Sequence, residues 1–78
     1  MDVHAHEVMR LMLELDSDFS RQSLGQAIIE RFGEKTRFHS CSKSGMDVNE
    51  VINFLESRGK FVARAEGFNT AQDKICDH

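Results

Sequence analysis

The chain has 78 residues, a formal net charge of −3 at pH 7, 40% hydrophobic residues and 29% charged residues. This length indicates one domain, because domains usually hold about 100 to 150 residues, and the short apolar runs exclude a membrane span of roughly 20 residues. The negative net charge disfavours nucleic acid and anionic membranes as partners.

Two helices are predicted in the first half of the chain. From Val8 to Leu15 the apolar residues recur every three or four positions, which indicates an amphipathic helix that ends near Asp16. Ser20 can cap a second helix, and Gly33 is expected to end it in a left-handed conformation.

A third helix is predicted over residues 47–59. Asp47 and Glu50 have the spacing of a capping box, and the apolar positions that follow repeat the stripe of the first helix. Between the second and third helices, residues 36–41 are predicted to form a strand. Its alternation turns Phe38 inward and sends His39 and Cys41 together to the opposite face.

The remaining strands are predicted as a β-hairpin. Residues 60–65 and 68–70 are its two arms, joined by a turn at residues 66 and 67 and paired with the first strand. The expected fold is therefore an α+β domain with three short helices and a small antiparallel sheet, in the order α-α-β-α-β-β. From Ala71 onward no pattern predicts ordered structure.

All histidines and cysteines of the chain stand in pairs separated by one residue. The pairs are His4/His6, His39/Cys41 and Cys76/His78. Imidazole nitrogen and thiolate sulfur are the donors that Zn²⁺ and related transition metals select. Because random placement would rarely pair all six residues, the arrangement favours a metal site.

The pairs His39/Cys41 and Cys76/His78 form the first predicted site. Residues two apart on an extended segment project to the same face, so each pair can offer two donors to one ion. Together they make a Cys₂His₂ set, which is enough for a closed tetrahedral site. The expected cofactor is a divalent transition metal, with Zn²⁺ as the first assignment, although Ni²⁺, Cu and Fe²⁺ suit the same donors.

The N-terminal pair leaves alternatives open. Residues two apart on a helix lie about 200° apart around its axis, so His4 and His6 can share an ion only if the first helix starts after them, near Glu7. They are then additional or exchanging donors, and the alternative is two solvated surface histidines. For Cys41 the alternatives are a small buried apolar residue or a nucleophile activated by His39.

The compartment follows from the N-terminal residues and the cysteines. The first residues carry acids where a secretory signal carries Lys or Arg, so the cytoplasm is expected. In a reducing compartment Cys41 and Cys76 are expected to be thiols or metal ligands rather than a disulfide.

Five segments spread along nearly the whole chain carry a resemblance. They are the N-terminal His4-x-His6-Glu7-Val8, Phe38-His39-Ser40-Cys41-Ser42, Gly59-Lys60-Phe61, Gly67-Phe68 and the ending Lys74-Ile75-Cys76-Asp77-His78. These segments resemble those of the small bacterial YecH-type proteins, which are described as metal-binding. The resemblance supports the paired donors as metal ligands, and it implies no pathway.

The combined prediction is a single metal-binding domain, residues 1–78, that holds a structural ion or stores and delivers a metal, with a protein partner for delivery. The competing prediction is a winged-helix-like nucleic-acid-binding module, in which Arg58, Lys60 and Arg64 form a basic edge. An enzyme is not expected. A hydrolase with a metal-bound water and Glu7 as base is the third alternative.

Overall fold

The structure is a computed structural model and describes residues 2–75. Its elements, in chain order, are β1 (Asp2–His4), α1 (Ala5–Leu15), α2 (Arg21–Phe32), β2 (Arg37–His39), α3 (Val48–Ser57), β3 (Val62–Ala63), β4 (Phe68–Asn69) and α4 (Gln72–Ile75). The mixed α and β content agrees with the prediction, whereas the first strand and the last helix were not predicted. No helix within residues 2–75 has the length and apolar character needed to cross a membrane.

Helix α1 begins earlier than the sequence predicted. Its first residue is Ala5, and His4 is the N-cap, whose ring accepts a hydrogen bond from the backbone N–H of His6. The condition under which His4 and His6 could share one ion, a helix that starts after both of them near Glu7, is therefore not met. At the other end, Asp16 takes a left-handed conformation with φ 49°, which Asp tolerates better than most residues.

The predicted caps of α2 and α3 are confirmed. Ser20 accepts from the N–H of Ser23 at the start of α2, and Asp47 accepts from the N–H of Glu50 at the start of α3. In both cases the third helical side chain bonds back to the cap residue, which completes a capping box. Gly33 follows α2 with φ 94° and ψ 147°, so it has the positive φ that glycine permits but not the predicted left-handed helical conformation.

The strands form two separate two-stranded sheets rather than the one predicted sheet. β1 pairs with β2 in parallel, with His4 opposite His39. Parallel strands require a long crossover, and α1 with α2 supplies it. The prediction missed this arrangement because the three residues of β1 are too few to show a strand pattern. On its other side, Phe38 of β2 forms an antiparallel bridge with Met46.

The predicted hairpin is confirmed, with its turn shifted by one residue. β3 and β4 are antiparallel, and the N–H of Arg64 bonds to the carbonyl of Gly67 at 2.7 Å, so the turn residues are Ala65 and Glu66. The hairpin does not pair with β2. It pairs with the loop between α1 and α2, where Phe68 and Phe19 exchange two backbone hydrogen bonds of 2.7 and 2.8 Å.

The core lies between the helices and β2. Its buried apolar residues are Ala5, Val8, Met9, Leu11, Met12, Phe19, Leu24, Ile28, Phe38, Met46, Val51, Ile52 and Leu55. Phe38, which was predicted to turn inward, is fully buried, and Phe32, Phe54, Phe61 and Phe68 are half-buried against this core.

Exposed ion pairs also connect the helices. Arg31 of α2 bonds to Glu14 of α1 at 3.0 Å, and Arg21 of α2 bonds to Glu56 of α3 at 2.7 Å. The hydrogen bond from Arg31, together with its charge, lowers the pKa of Glu14 below its ordinary value of 4.5. Because this pair is exposed, it adds little to the stability of the fold.

Candidate metal centre

Three imidazole rings gather where β1 passes into α1. The parallel register places His4 opposite His39, and their ring centroids are 5.1 Å apart in an edge-to-face arrangement. The ring of His6, on the first turn of α1, lies 4.2 Å from that of His4. The structure thus brings together one member of the His39/Cys41 pair and both members of the N-terminal pair.

His39 is held by a carboxylate. Its Nδ1 lies 3.0 Å from Oδ1 of Asp2, and since a carboxylate oxygen only accepts, Nδ1 is the protonated nitrogen. In the neutral ring Nε2 then carries the lone pair. A carboxylate on the remote ring nitrogen is the usual second partner of a metal-ligating histidine.

His4 has the opposite tautomer. Its Nδ1 accepts the backbone N–H of His6 at 3.0 Å, so the neutral ring carries its proton on Nε2. If Nε2 of His4 were to bind a metal, Nδ1 would have to hold the proton and would face another donor. His4 can therefore ligate through Nε2 only after the cap of α1 is broken.

Cys41 lies in a tight turn instead of on a strand. β2 ends at His39, and the N–H of Ser40 bonds to the carbonyl of Lys43 at 2.7 Å. Ser40 Oγ accepts from the N–H groups of Ser42 and Lys43, at 3.2 and 3.1 Å, which stabilises the turn. The predicted strand over residues 36–41 is thus too long, because the serine hydroxyl offers its backbone a local alternative to pairing. The thiol of Cys41 is free and exposed.

A cleft of about 370 Å³ joins the turn to the histidines. His4, His6 and Cys41 line it, together with apolar side chains that include Met9 and Phe54. His39 is not among its described lining residues and meets the group through its ring contact with His4. Cys41 and two of the histidines therefore share one solvent-accessible recess.

The second predicted pair lies outside the described residues. Cys76 and His78 follow α4, a four-residue helix that packs against α1 where the sequence predicted no order. The carbonyl of Lys74 accepts a hydrogen bond of 3.0 Å from Nζ of Lys60, and Lys60 lines the cleft. The chain thus approaches the cleft two residues before Cys76.

Comparisons with known proteins match nearly the whole chain to one family. A family model described as "Protein of unknown function (DUF2492)" matches residues 1–77. The chain belongs to the DUF2492 family. A relative named "Uncharacterized protein YecH", from Escherichia coli (strain K12), is 46% identical over 76 residues, which cover 97% of this chain and 96% of the relative. The resemblance to YecH-type proteins is therefore confirmed, and no solved structure matches significantly.

The three histidines and Cys41 of this DUF2492 chain lie near one another but do not form a complete set of metal ligands. Within residues 2–75, no group of three or more His, Cys, Asp or Glu side chains is arranged to hold a metal ion. The carboxylate of Glu7, the base in the hydrolase alternative, is paired with Arg10 at 2.5 Å. Sequence reasoning also missed Asp2, whose role depends on strand pairing.

Proposed function

We propose that this protein binds a divalent transition metal, with Zn²⁺ as the first candidate, at the cluster of His39 and Cys41. Cys76 and His78 complete the coordination in this proposal. The observation that carries it is the Asp2–His39 pair beside two more imidazoles, because a ring held by a carboxylate presents Nε2 as a ready donor.

The tail supplies the missing donors in this proposal. No group of three or more donors within residues 2–75 is arranged to hold a metal ion, so a tetrahedral site needs further ligands. The Lys60–Lys74 hydrogen bond brings the chain to the cleft, and an extended chain advances at most about 3.6 Å per residue. In this proposal His4 and His6 are exchanging donors and not resting ligands. His4 can bind the ion through Nε2 only after its ring releases the N–H of His6.

The proposed role is cytoplasmic storage or delivery of the ion, with a protein partner for its transfer. Cys41 is exposed, and the histidines line an accessible cleft, which suits exchange with an external acceptor. A site that serves only the fold would sooner be enclosed by the core. The nucleic-acid alternative is weaker, because Arg64 of its basic edge is paired with Asp16 and Asp18.

Cobalt substitution tests the proposal. Co²⁺ bound by thiolates in a tetrahedral site gives sulfur-to-metal charge-transfer bands and intense visible bands, and we expect both. Cys41→Ala and Cys76→Ala should each weaken the charge-transfer bands, since each removes one sulfur. Ser42→Ala, in the same turn as Cys41, is the matched control and should leave them intact.

The contradicting outcomes are equally plain. Octahedral cobalt spectra without charge-transfer bands would disprove thiolate ligation. Full bands in Cys76→Ala would show that Cys76 is not a ligand and would contradict the proposed Cys₂His₂ set.

A further inference from the structure

The cleft beside the proposed metal cluster has a cationic side. Among its described lining residues, Arg58 and Lys60 carry positive charge and none is acidic. This local excess is notable in a chain whose net charge is −3. Low-dielectric walls around a cleft of one sign concentrate ions of the opposite sign.

Arg58 is held in position at this side. Its guanidinium lies over the ring of Phe54, 5.1 Å from the centroid, and its Nη2 donates to Ser42 Oγ at 3.2 Å. A guanidinium has five N–H donors in a planar fork, so these contacts leave capacity for an oxyanion. No carboxylate within residues 2–75 forms an ion pair with Arg58.

The rest of the cleft is largely apolar. Ala5, Met9, Phe54 and Leu55 contribute to the lining, and a volume of about 370 Å³ lies within the usual range for small-molecule sites, roughly 300 to 1,000 Å³. A ligand that matches both parts has an apolar body and one anionic end.

We propose that the cleft binds a small apolar carboxylate, with its carboxylate on Arg58 and its body against the half-buried ring of Phe54. Because His4, His6 and Cys41 line the same cleft, such a ligand lies next to the proposed metal. The site would thus accept the metal together with an organic acid. Only the joint binding of metal and acid rests on the proposed function, because the anion site itself uses none of the proposed metal ligands.

Benzoate is the probe, because it joins one carboxylate to an apolar ring and chelates metals weakly. In titrations of the metal-free protein, followed by the NMR shifts of backbone amides, we expect saturable changes at Ser42 and Arg58. Arg58→Gln should weaken binding roughly tenfold, as expected for loss of a charged hydrogen-bond donor. Arg37→Gln, which changes an exposed arginine of β2 outside the cleft, should not.

Three results would overturn the anion site. The first is the absence of saturable shifts, and the second is an equal loss of affinity in both arginine variants. The third uses the variant Asp77→Asn, which removes a carboxylate near the end of the chain. If benzoate binds only to this variant, the natural occupant of the cleft is the carboxylate of Asp77 and not a small molecule.

A second titration with cobalt-loaded protein tests the coupling. The added positive charge should tighten benzoate binding several-fold, and equal affinity with and without bound cobalt would disprove the coupling. If cobalt does not bind at all, the proposed function fails, while the metal-free titration still decides the anion site.

Discussion

His39 and His4 lie opposite each other in the β1–β2 register and have opposite tautomers. The carboxylate of Asp2, 37 positions away in sequence, sets the proton of His39 on Nδ1. The backbone N–H of His6 sets the proton of His4 on Nε2. Identical side chains in one cluster thus have different capacities for metal binding, and the hydrogen bond on the remote nitrogen decides which.

A pair of variants separates capping from ligation at His4. His4→Ala should destabilise the protein by about 1 kcal/mol, the usual cost of an unfilled N-cap, whereas His4→Asn should remain near wild type because Asn caps well. Chemical denaturation measures both. Neither variant should alter the cobalt spectrum or the cobalt affinity of the folded protein.

The opposite result is easily recognised. If His4→Asn keeps the stability of the wild type but loses cobalt affinity as severely as Cys41→Ala, then His4 is a ligand in the resting site. The exchange described for His4 would then be incorrect.

The caps of the helices depend on residues that are close together in the sequence. Asp47 and Glu50 are three positions apart, and their capping box is complete within one turn. The start of α1 was misplaced because histidine is not a usual N-cap residue, so the pattern before Val8 contained no recognised signal.

The hairpin depends on a close approach that only glycine permits. A Cβ on Gly67 would lie 2.1 Å from the carbonyl oxygen of Phe19, the group that accepts the N–H of Phe68. Gly67→Ala should therefore push the hairpin from the α1–α2 loop and cost about 1 to 3 kcal/mol, as overpacking does. Thermal or urea unfolding measures the loss.

Gly25→Ala is the matched control. A Cβ there would make ordinary contacts, 3.7 Å from Val48 and 3.9 Å from Ile52. Since Gly25 is inside α2, alanine should stabilise the protein by about 0.5 to 1 kcal/mol. Equal effects of the two substitutions would show that the approach of Gly67 to Phe19 does not limit the packing of the hairpin.

At the scale of the whole molecule, the core and the candidate site are separate. None of the candidate donors within residues 2–75 (His4, His6, His39 and Cys41) is among the thirteen buried apolar residues of the core. Metal removal should therefore leave the fold intact. After treatment with a chelator, we expect an unchanged far-UV circular dichroism spectrum and cooperative unfolding.

Metal binding to this folded protein should then add stability by mass action. A free metal concentration of 100 times the dissociation constant adds about 2.7 kcal/mol to the free energy of unfolding. Loss of helical signal on chelation would instead identify a structural ion, and the storage and delivery role would be wrong.

The sequence by itself determined the helical stripes, the caps at Ser20 and Asp47, the hairpin and the spacing of the paired donors. Each of these depends on residues a few positions apart, so short-range geometry is sufficient. The sequence also marked His39 and Cys41 as candidate donors, although it extended their strand too far.

Only the tertiary structure decided how distant segments meet. The parallel pairing of β1 with β2 gathers His4, His6 and His39 and brings Asp2 to the remote nitrogen of His39. Docking of the hairpin on Phe19, rather than on β2, likewise depends on packing across the molecule. Three-residue strands lack a pattern of their own, so the burial and hydrogen bonds of the folded chain select their partners.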